Sequence, residues 1–319
     1  MTPGRPLRAL AVAAGSALLL STAPAQAQLA RELGLVPADE PAAASLAAAL
    51  PTASQFALDQ LRYERVRDAR ESSRFNVKRL FHERGIRYPA AEVFLRIFKR
   101  ERSLELWVRP PDATGFALLK TYPICAMAGE LGPKRRQGDQ QTPEGFYFIS
   151  FFNPRSEFYL SLHLDYPNRR DRASAVQPVG LGGDIYIHGG CNSEGCLAVT
   201  DEGIKELYWL AVETRAAGQQ RIPVHIFPAR LDSRDLEILQ TTFADQPDLG
   251  RFWNTLKPGY DYFETHRRVP SVYVTAQGEY TLDAAAAGAG GVLGTPTGTR
   301  RPSGAAPTKP PLGTPVGGG

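Results

Sequence analysis

From Val93 the chain alternates in steps of two: Val93, Leu95 and Ile97, then Leu104, Leu106 and Val108, interleave with Phe94, Arg96, Phe98, Glu105, Trp107 and Arg109. Period-two alternation on either side of the polar stretch Arg100–Ser103 predicts a β-hairpin. Further short strands are predicted at 116–125, 146–152, 158–165, 185–188 and 222–227. Among them, Ile204, Leu207, Tyr208 and Ala211 repeat at helical spacing behind Thr200, Asp201 and Glu202, which predicts a helix over 200–216 with Thr200 as its cap. Upstream, Phe56, Leu61, Val66, Phe75, Val77, Leu80 and Phe81 recur among charges and predict one or two amphipathic helices before residue 84. After Arg230 a polar, partly helical stretch runs through Leu256, followed by an aromatic-rich piece around Tyr260, Tyr262, Phe263 and Tyr273 that should pack on the strands. Many strands with one substantial helix among them argue for a mainly β, α+β fold.

The ends of the chain carry no such pattern. Arg5 and Arg8 precede a mostly apolar run from Ala9 to Leu20 and then Ala25-Gln26-Ala27, the layout of a secretory signal peptide over residues 1–27. No later run is long and apolar enough to span a bilayer, so the mature chain is expected to be secreted, facing the periplasm or cell envelope. Residues 28–92 then form a leader with helices, 93–230 the main strand-rich domain, 231–283 a docking segment, and 284–319 a tail of Ala, Gly, Thr and Pro expected to be disordered. With 319 residues, 43% of them hydrophobic, one sizeable core needs no disulfide framework. Removing the two signal arginines takes the formal net charge from +4 to about +2, too little to suggest a nucleic-acid partner. Three cysteines, Cys125, Cys191 and Cys196, are an odd number for an oxidising compartment and leave at least one thiol unpaired or joined between molecules. Cys191 could pair with Cys125 or with Cys196; free thiols are the favoured expectation.

The chemistry concentrates in IYIHGGCNSEGCLAVTD, residues 185–201. His188 stands at a predicted strand end before Gly189 and Gly190, and Cys196 follows eight residues later in the loop before the helix. A thiol is a strong nucleophile only as thiolate, and a neighbouring imidazole can take its proton. Gly195 would let the backbone turn so that amides near Cys196 face a carbonyl oxygen, with Ser193 beside them. Upstream, Gly129, Gly132, Gly138 and Gly145 joint a long loop whose Lys134 and Arg135 could meet substrate carboxylates and whose Glu144 enters the next strand. Tyr186 shares the side of its strand with His188, and His163 shares a face with Tyr159, Ser161 and Asp165; both are candidates to line a cleft. His225 alternates with Val224 and Ile226 and reads as structural. His188, Cys191 and Cys196 could also ligate zinc, but no repeated CxxC or HxxxH spacing supports that set.

Three segments, GELGPKRRQGDQQTPEGFY (129–147), SLHLDYPNRRD (161–171) and IHGGCNSEGCLAVTD (187–201), resemble the L,D-transpeptidases of the YkuD type, in particular a murein branch with short His-to-Cys spacing. The resemblance implies an L,D-transpeptidase-like β-sandwich or barrel with a capping helix. By position it implies Cys196 as nucleophile, His188 as base, Gly195 and Cys196 as backbone oxyanion donors, and Ser193 as the accompanying hydroxyl. It further implies peptidoglycan stem peptides as substrate, attack at the third residue, a thioester intermediate, and no metal or organic cofactor. Glu194 and Ala198 depart from the commonest members, which have histidine and arginine there. The same branch includes amidases that release peptidoglycan-linked lipoprotein. A module that binds the cell wall without turnover is the reading outside enzymology.

Overall fold

A computed structural model of the chain describes residues 55–175 and 180–283. The expected signal peptide, most of the leader and the expected disordered tail lie outside the described residues.

Helix α1 (Glu64–Glu83), preceded by a helical stretch at 55–60, leads into β1 (Glu92–Phe98) and β2 (Ser103–Arg109), the hairpin that the alternation predicts, with Leu95 opposite Leu106. Then come β3 (Ala117–Pro123), β4 (Ala126–Met127), β5 (Gly145–Asn153) and β6 (Ser161–Leu164). A short α2 (Arg169–Ala173), β7 (Tyr186–His188), β8 (Leu197–Ala198), α3 (Thr200–Ala216) and β9 (Pro223–Phe227) complete the main region. The Thr200 Oγ1 accepts from the Gly203 amide at 3.2 Å, so it caps the helix as expected from within its first turn. After these, α4 (Ser233–Thr242), α5 (Pro247–His266) and the pair β10 (Tyr273–Val274) and β11 (Tyr280–Thr281) close the described chain.

Nine strands form one sheet in the order β3-β2-β1-β9-β5-β6-β7-β8-β4, curled into a half-barrel. Among the described strands only β1 with β9 and β7 with β8 run parallel. One face of the sheet is apolar throughout: Val93, Leu95, Ile97, Leu162, Ile187, Leu197, Val224 and Ile226 pack beneath α1 and α3, through Val77, Phe81, Leu207 and Tyr208. The opposite face is covered only over its first half, where Phe98, Phe146 and Phe227 meet Phe252, Trp253, Leu256 and Tyr260 of α5.

The aromatic-rich piece is therefore helical, where the sequence reading ended its helical stretch at Leu256. Lys257-Pro258-Gly259 reads as a breaker, yet Pro258 lies inside α5. An interior proline costs about 3 kcal/mol, whereas burying each of Trp253, Leu256, Tyr260 and Phe263 returns about 1.5–3 kcal/mol. Packing wins, and the expected docking of this segment on the strands is what its buried face achieves. Beyond β5 no helix among the described residues covers the second face, and the candidate site lies there.

Candidate active site

Strands β7 and β8 lie parallel, with Ile187 opposite Leu197 and His188 opposite Ala198. Cys196, one step before Leu197, falls beside Tyr186, and the period of two puts Tyr186, His188 and Cys196 on the uncovered face while Ile187 and Leu197 point into the core. On β6, His163 is opposite Tyr186 and Ser161 opposite His188. The structure thus brings Cys196, His188, Tyr186 and His163 to one face, as two separate sequence segments had implied.

Among the described residues Cys196 carries the free thiol, and it is partly exposed. Its Sγ donates to the Asp184 carbonyl at 3.5 Å, and the thiol and imidazole are not hydrogen-bonded to each other in this conformation. Burial pushes the thiol up from its usual 9.0, with the Asp184 and Glu194 carboxylates adding to the rise; the Tyr186 amide and the Lys134 ammonium oppose it. His188 is only 2% exposed, and its Nδ1 lies 2.6 Å from the Gly189 carbonyl. A carbonyl can only accept, so Nδ1 carries the proton and Nε2 presents a free lone pair, the tautomer a general base needs. Burial pushes this imidazole below its ordinary 6.5, so it is neutral at pH 7. Phe158 stacks on the ring at 4.4 Å and fixes its plane.

The loop between them is tightly held. A Cβ on Gly189 would come within 2.5 Å of Asp201 Oδ1 and 2.8 Å of the Phe158 carbonyl, so only glycine lets the strand end pass there. Asp201 Oδ1 accepts the Gly190 amide at 2.8 Å. Gly195 has φ +129°, the turn expected of it. Its amide, expected to face a substrate carbonyl, donates to Ser193 Oγ at 3.2 Å, while Ser193 Oγ donates to the Cys196 carbonyl at 2.8 Å. Ser193 therefore stands where an oxyanion would compete for the same amide. Three non-glycine residues with left-handed φ surround the site, Tyr159 (69°), Asp184 (58°) and Thr200 (67°), a concentration of strain typical of functional sites.

The expected cleft residues divide. Tyr186 is partly exposed, has its phenol pushed up by burial and by the nearby Asp184 carboxylate, and lies edge-on to His163 at 4.7 Å. His163 binds Ser150 Oγ through Nδ1 at 2.6 Å. Lys134 is 7% exposed, bonded to the Asp139 carboxylate and to the Arg136 carbonyl at 2.9 Å; it shapes the loop and acts on the thiol by its charge. Arg135 lines a separate depression with Arg170, Asp248 and Phe252. Glu144 is fully buried and cannot touch a ligand in the cleft. Its carboxylate takes Lys99 Nζ at 3.0 Å, the Gly132 amide at 2.6 Å and Trp253 Nε1 at 2.8 Å.

One cysteine expectation is corrected. Cys125 and Cys191 form a disulfide, which joins the end of β3 to the His188–Cys196 loop and leaves Cys196 as the free thiol. With its sulfur so bonded, Cys191 is no longer available to the zinc set weighed from the sequence. Sequence reasoning did not single out Asp184 or Phe158. Asp184 follows Gly182-Gly183 two residues before Tyr186, a turn signal that marks it in retrospect; nothing in the sequence places Phe158 over the imidazole.

Residues 105–226 match the YkuD family, described as the L,D-transpeptidase catalytic domain. The chain is 38% identical over 192 residues, 60% of its own length and 73% of the relative's, to "Putative L,D-transpeptidase YafK" of Escherichia coli K12. Two solved structures are similar at lower identity. A mutant form of the helical cell shape determining protein Pgp2 of Campylobacter jejuni is 19% identical, covering 49% of this chain and 56% of that one, with a TM-score of 0.33. Bd1075 of Bdellovibrio bacteriovorus is 21% identical, covering 54% and 60%, with a TM-score of 0.32. The chain thus spans little more than half of either structure. Its identity to the Escherichia coli relative across nearly three quarters of that protein, together with the match at residues 105–226, shows that the chain belongs to the L,D-transpeptidase family with the YkuD catalytic domain.

Proposed function

We propose that the protein is a secreted, periplasm-facing cysteine acyltransferase that acts on the stem peptides of peptidoglycan, with residues 93–230 as its catalytic unit and 231–283 docked upon it. The observation that carries this reading is the free, partly exposed Cys196 thiol on the same open sheet face as an imidazole whose Nδ1 is anchored and whose Nε2 is unprotonated.

In this reading a bound stem peptide displaces the thiol from the Asp184 carbonyl toward His188, since such catalytic hydrogen bonds commonly tighten only with substrate present. His188 takes the thiol proton as Sγ attacks the third-residue carbonyl. The negative charge that develops on the carbonyl oxygen is met by the amides at Gly195 and Cys196, worth roughly 3–4 kcal/mol for a well-placed donor. His188 returns the proton to the leaving amine, and a thioester remains on Cys196. A second amine resolves it in transfer, or water in hydrolysis. Both steps need the neutral imidazole that burial supplies. Ser193 holds the Cys196 backbone in place by its bond to the carbonyl.

The test is incubation of the mature protein and Cys196→Ala with purified sacculi, with and without attached lipoprotein, followed by mass spectrometry of the muropeptides. New third-residue cross-links formed only by the parent protein support transfer. Lipoprotein released without new cross-links assigns hydrolysis instead, and profiles shared by parent and variant overturn both.

A further inference from the structure

The sheet registers extend the site beyond the thiol. Phe151 on β5 is opposite His163 on β6, and His163 is opposite Tyr186 on β7, which lies beside Cys196. These four residues form one row across the open face. At about 4.7–4.9 Å between neighbouring strands, the row from Phe151 to Cys196 is roughly 14–15 Å long.

Phe151 is the unusual member. The residue is 56% exposed although the next, Phe152, is 8% exposed and packed in the core. Phe151 also forms a wall of a cavity of about 550 Å³, within the range of small-molecule sites. The cavity exists because β5 changes partners. Through Phe148 it pairs with β9, and from Ile149 onward with β6 across a bulge, so the two neighbours splay apart. The cavity wraps this edge of the sheet: Phe148 and Phe151 look to the open side, Phe56 and Arg215 of α3 to the helix-covered side, and Gln220 and Asp165 add planar polar groups. The Arg215 guanidinium sits over the Phe56 ring at 5.8 Å and forms no salt bridge among the described residues.

We infer that this groove is a saccharide site, which holds the sugar bearing the stem peptide whose third carbonyl reaches Cys196. Ring faces suit the C–H faces of a pyranose, and planar amide, carboxylate and guanidinium groups suit hydroxyl and N-acetyl groups around its rim. A lipid would leave the Gln220 amide and the Arg215 guanidinium without partners, at a cost for each, whereas Asp165 already accepts the Phe148 amide at 2.8 Å. The length also agrees. Three extended residues span about 10–11 Å, so the row leaves roughly one residue's length for the short acyl link to the sugar. The Ser150–His163 hydrogen bond and the His163–Tyr186 contact line the path between the two ends. This inference rests on the stem-peptide reading above for its ligand, but its test does not require turnover.

Peptide-free glycan strands and a sugar-free stem tripeptide are titrated separately into the full mature chain carrying Cys196→Ala, by calorimetry and by amide chemical-shift mapping. The groove predicts that the glycan binds, that shifts cluster at Phe148, Phe151 and Arg215, and that adding Phe151→Ala weakens glycan binding at least tenfold with an unchanged circular dichroism spectrum. Because Phe151 is exposed, that substitution removes no core packing; Arg215→Gln provides a second, independent loss of affinity. Glycan binding that both substitutions leave untouched overturns the inference, as does tripeptide rather than glycan binding that depends on Phe151. Glycan binding at the groove by a protein that leaves sacculi unmodified would sink the enzymatic reading while sustaining the groove, so the two failures are distinguishable.

Discussion

At Cys196 burial and the flanking carboxylates outweigh the Tyr186 amide and Lys134, and at His188 burial outweighs the bond to Gly189; both groups therefore rest neutral at pH 7. A preformed thiolate–imidazolium pair would instead need both charges favoured by the site. Alkylation of the native thiol by iodoacetamide should accordingly rise with pH up to and beyond 9.0, without a shelf of high reactivity between pH 6 and 8. A neutral-pH shelf that disappears in His188→Ala would overturn this. Turnover, which needs His188 unprotonated, should fall on the acid side only below 6.5. At this scale the His188–Cys196 pair was legible because both ends lie in one short segment with glycines between. The Cys125–Cys191 bond was not, since it joins residues 66 apart whose proximity depends on β4 pairing with β8. Ser193 was named in the sequence as the hydroxyl beside the thiol, but its particular bonds to Gly195 and Cys196 exist only once the loop is folded.

Among the elements, the loop before β5 shows how a charged residue in a promising segment can be structural. Lys99, at the end of β1, donates to the Glu130, Gly132 and Thr142 carbonyls and pairs with Glu144, which in turn holds Trp253 of α5. One buried ion pair thus fastens the glycine-jointed loop to the sheet and to the C-terminal helix. Glu144→Gln should leave the Lys99 ammonium buried without its counter-charge and lower the unfolding free energy by about 3–5 kcal/mol, read from urea denaturation. The double change Lys99→Met with Glu144→Leu should recover little of that loss, because the Gly132 amide, Trp253 Nε1 and three loop carbonyls then lose their partners in the interior. A loss under about 1 kcal/mol for Glu144→Gln would show that the pair does not fasten the loop. The β1–β2 hairpin and the 200–216 helix were readable because their aliphatic residues recur at steps of two and at helical spacing, even though β1 is buried on both faces. Helix α5 was not readable through Pro258, because the burial that sustains it comes from β1, β5 and β9, contacts that no local pattern shows.

For the whole molecule, the decisive arrangement is a sheet covered on one face throughout and on the other only over half its width. Alternation along the strands announced an α+β fold; which half would stay open follows from where α5 docks, and that contact is non-local. His225 marks the sealed half. It lies on β9, 3% exposed, with Phe94 and Phe146 edge-on at 4.6 and 4.7 Å, and burial, aided by the Arg96 charge, holds its imidazole down at about 3. In the unfolded chain the same ring titrates near 6.5. Below that pH the unfolded state takes up a proton that the native state refuses, so the native state loses stability progressively as pH falls from 6.5 toward 3, and none of this loss is present above 6.5. At pH 5 the effect of this one ring amounts to about 2 kcal/mol. His225→Leu should therefore flatten the decline of the urea midpoint between pH 6.5 and 5 relative to the parent, whatever its effect on stability at pH 7. His163 and His188 are lowered in the same direction and leave a residual slope in the variant. Carboxylates common to both proteins cancel in the comparison, so parallel curves for parent and variant would mean that β9 is not sealed beneath α5.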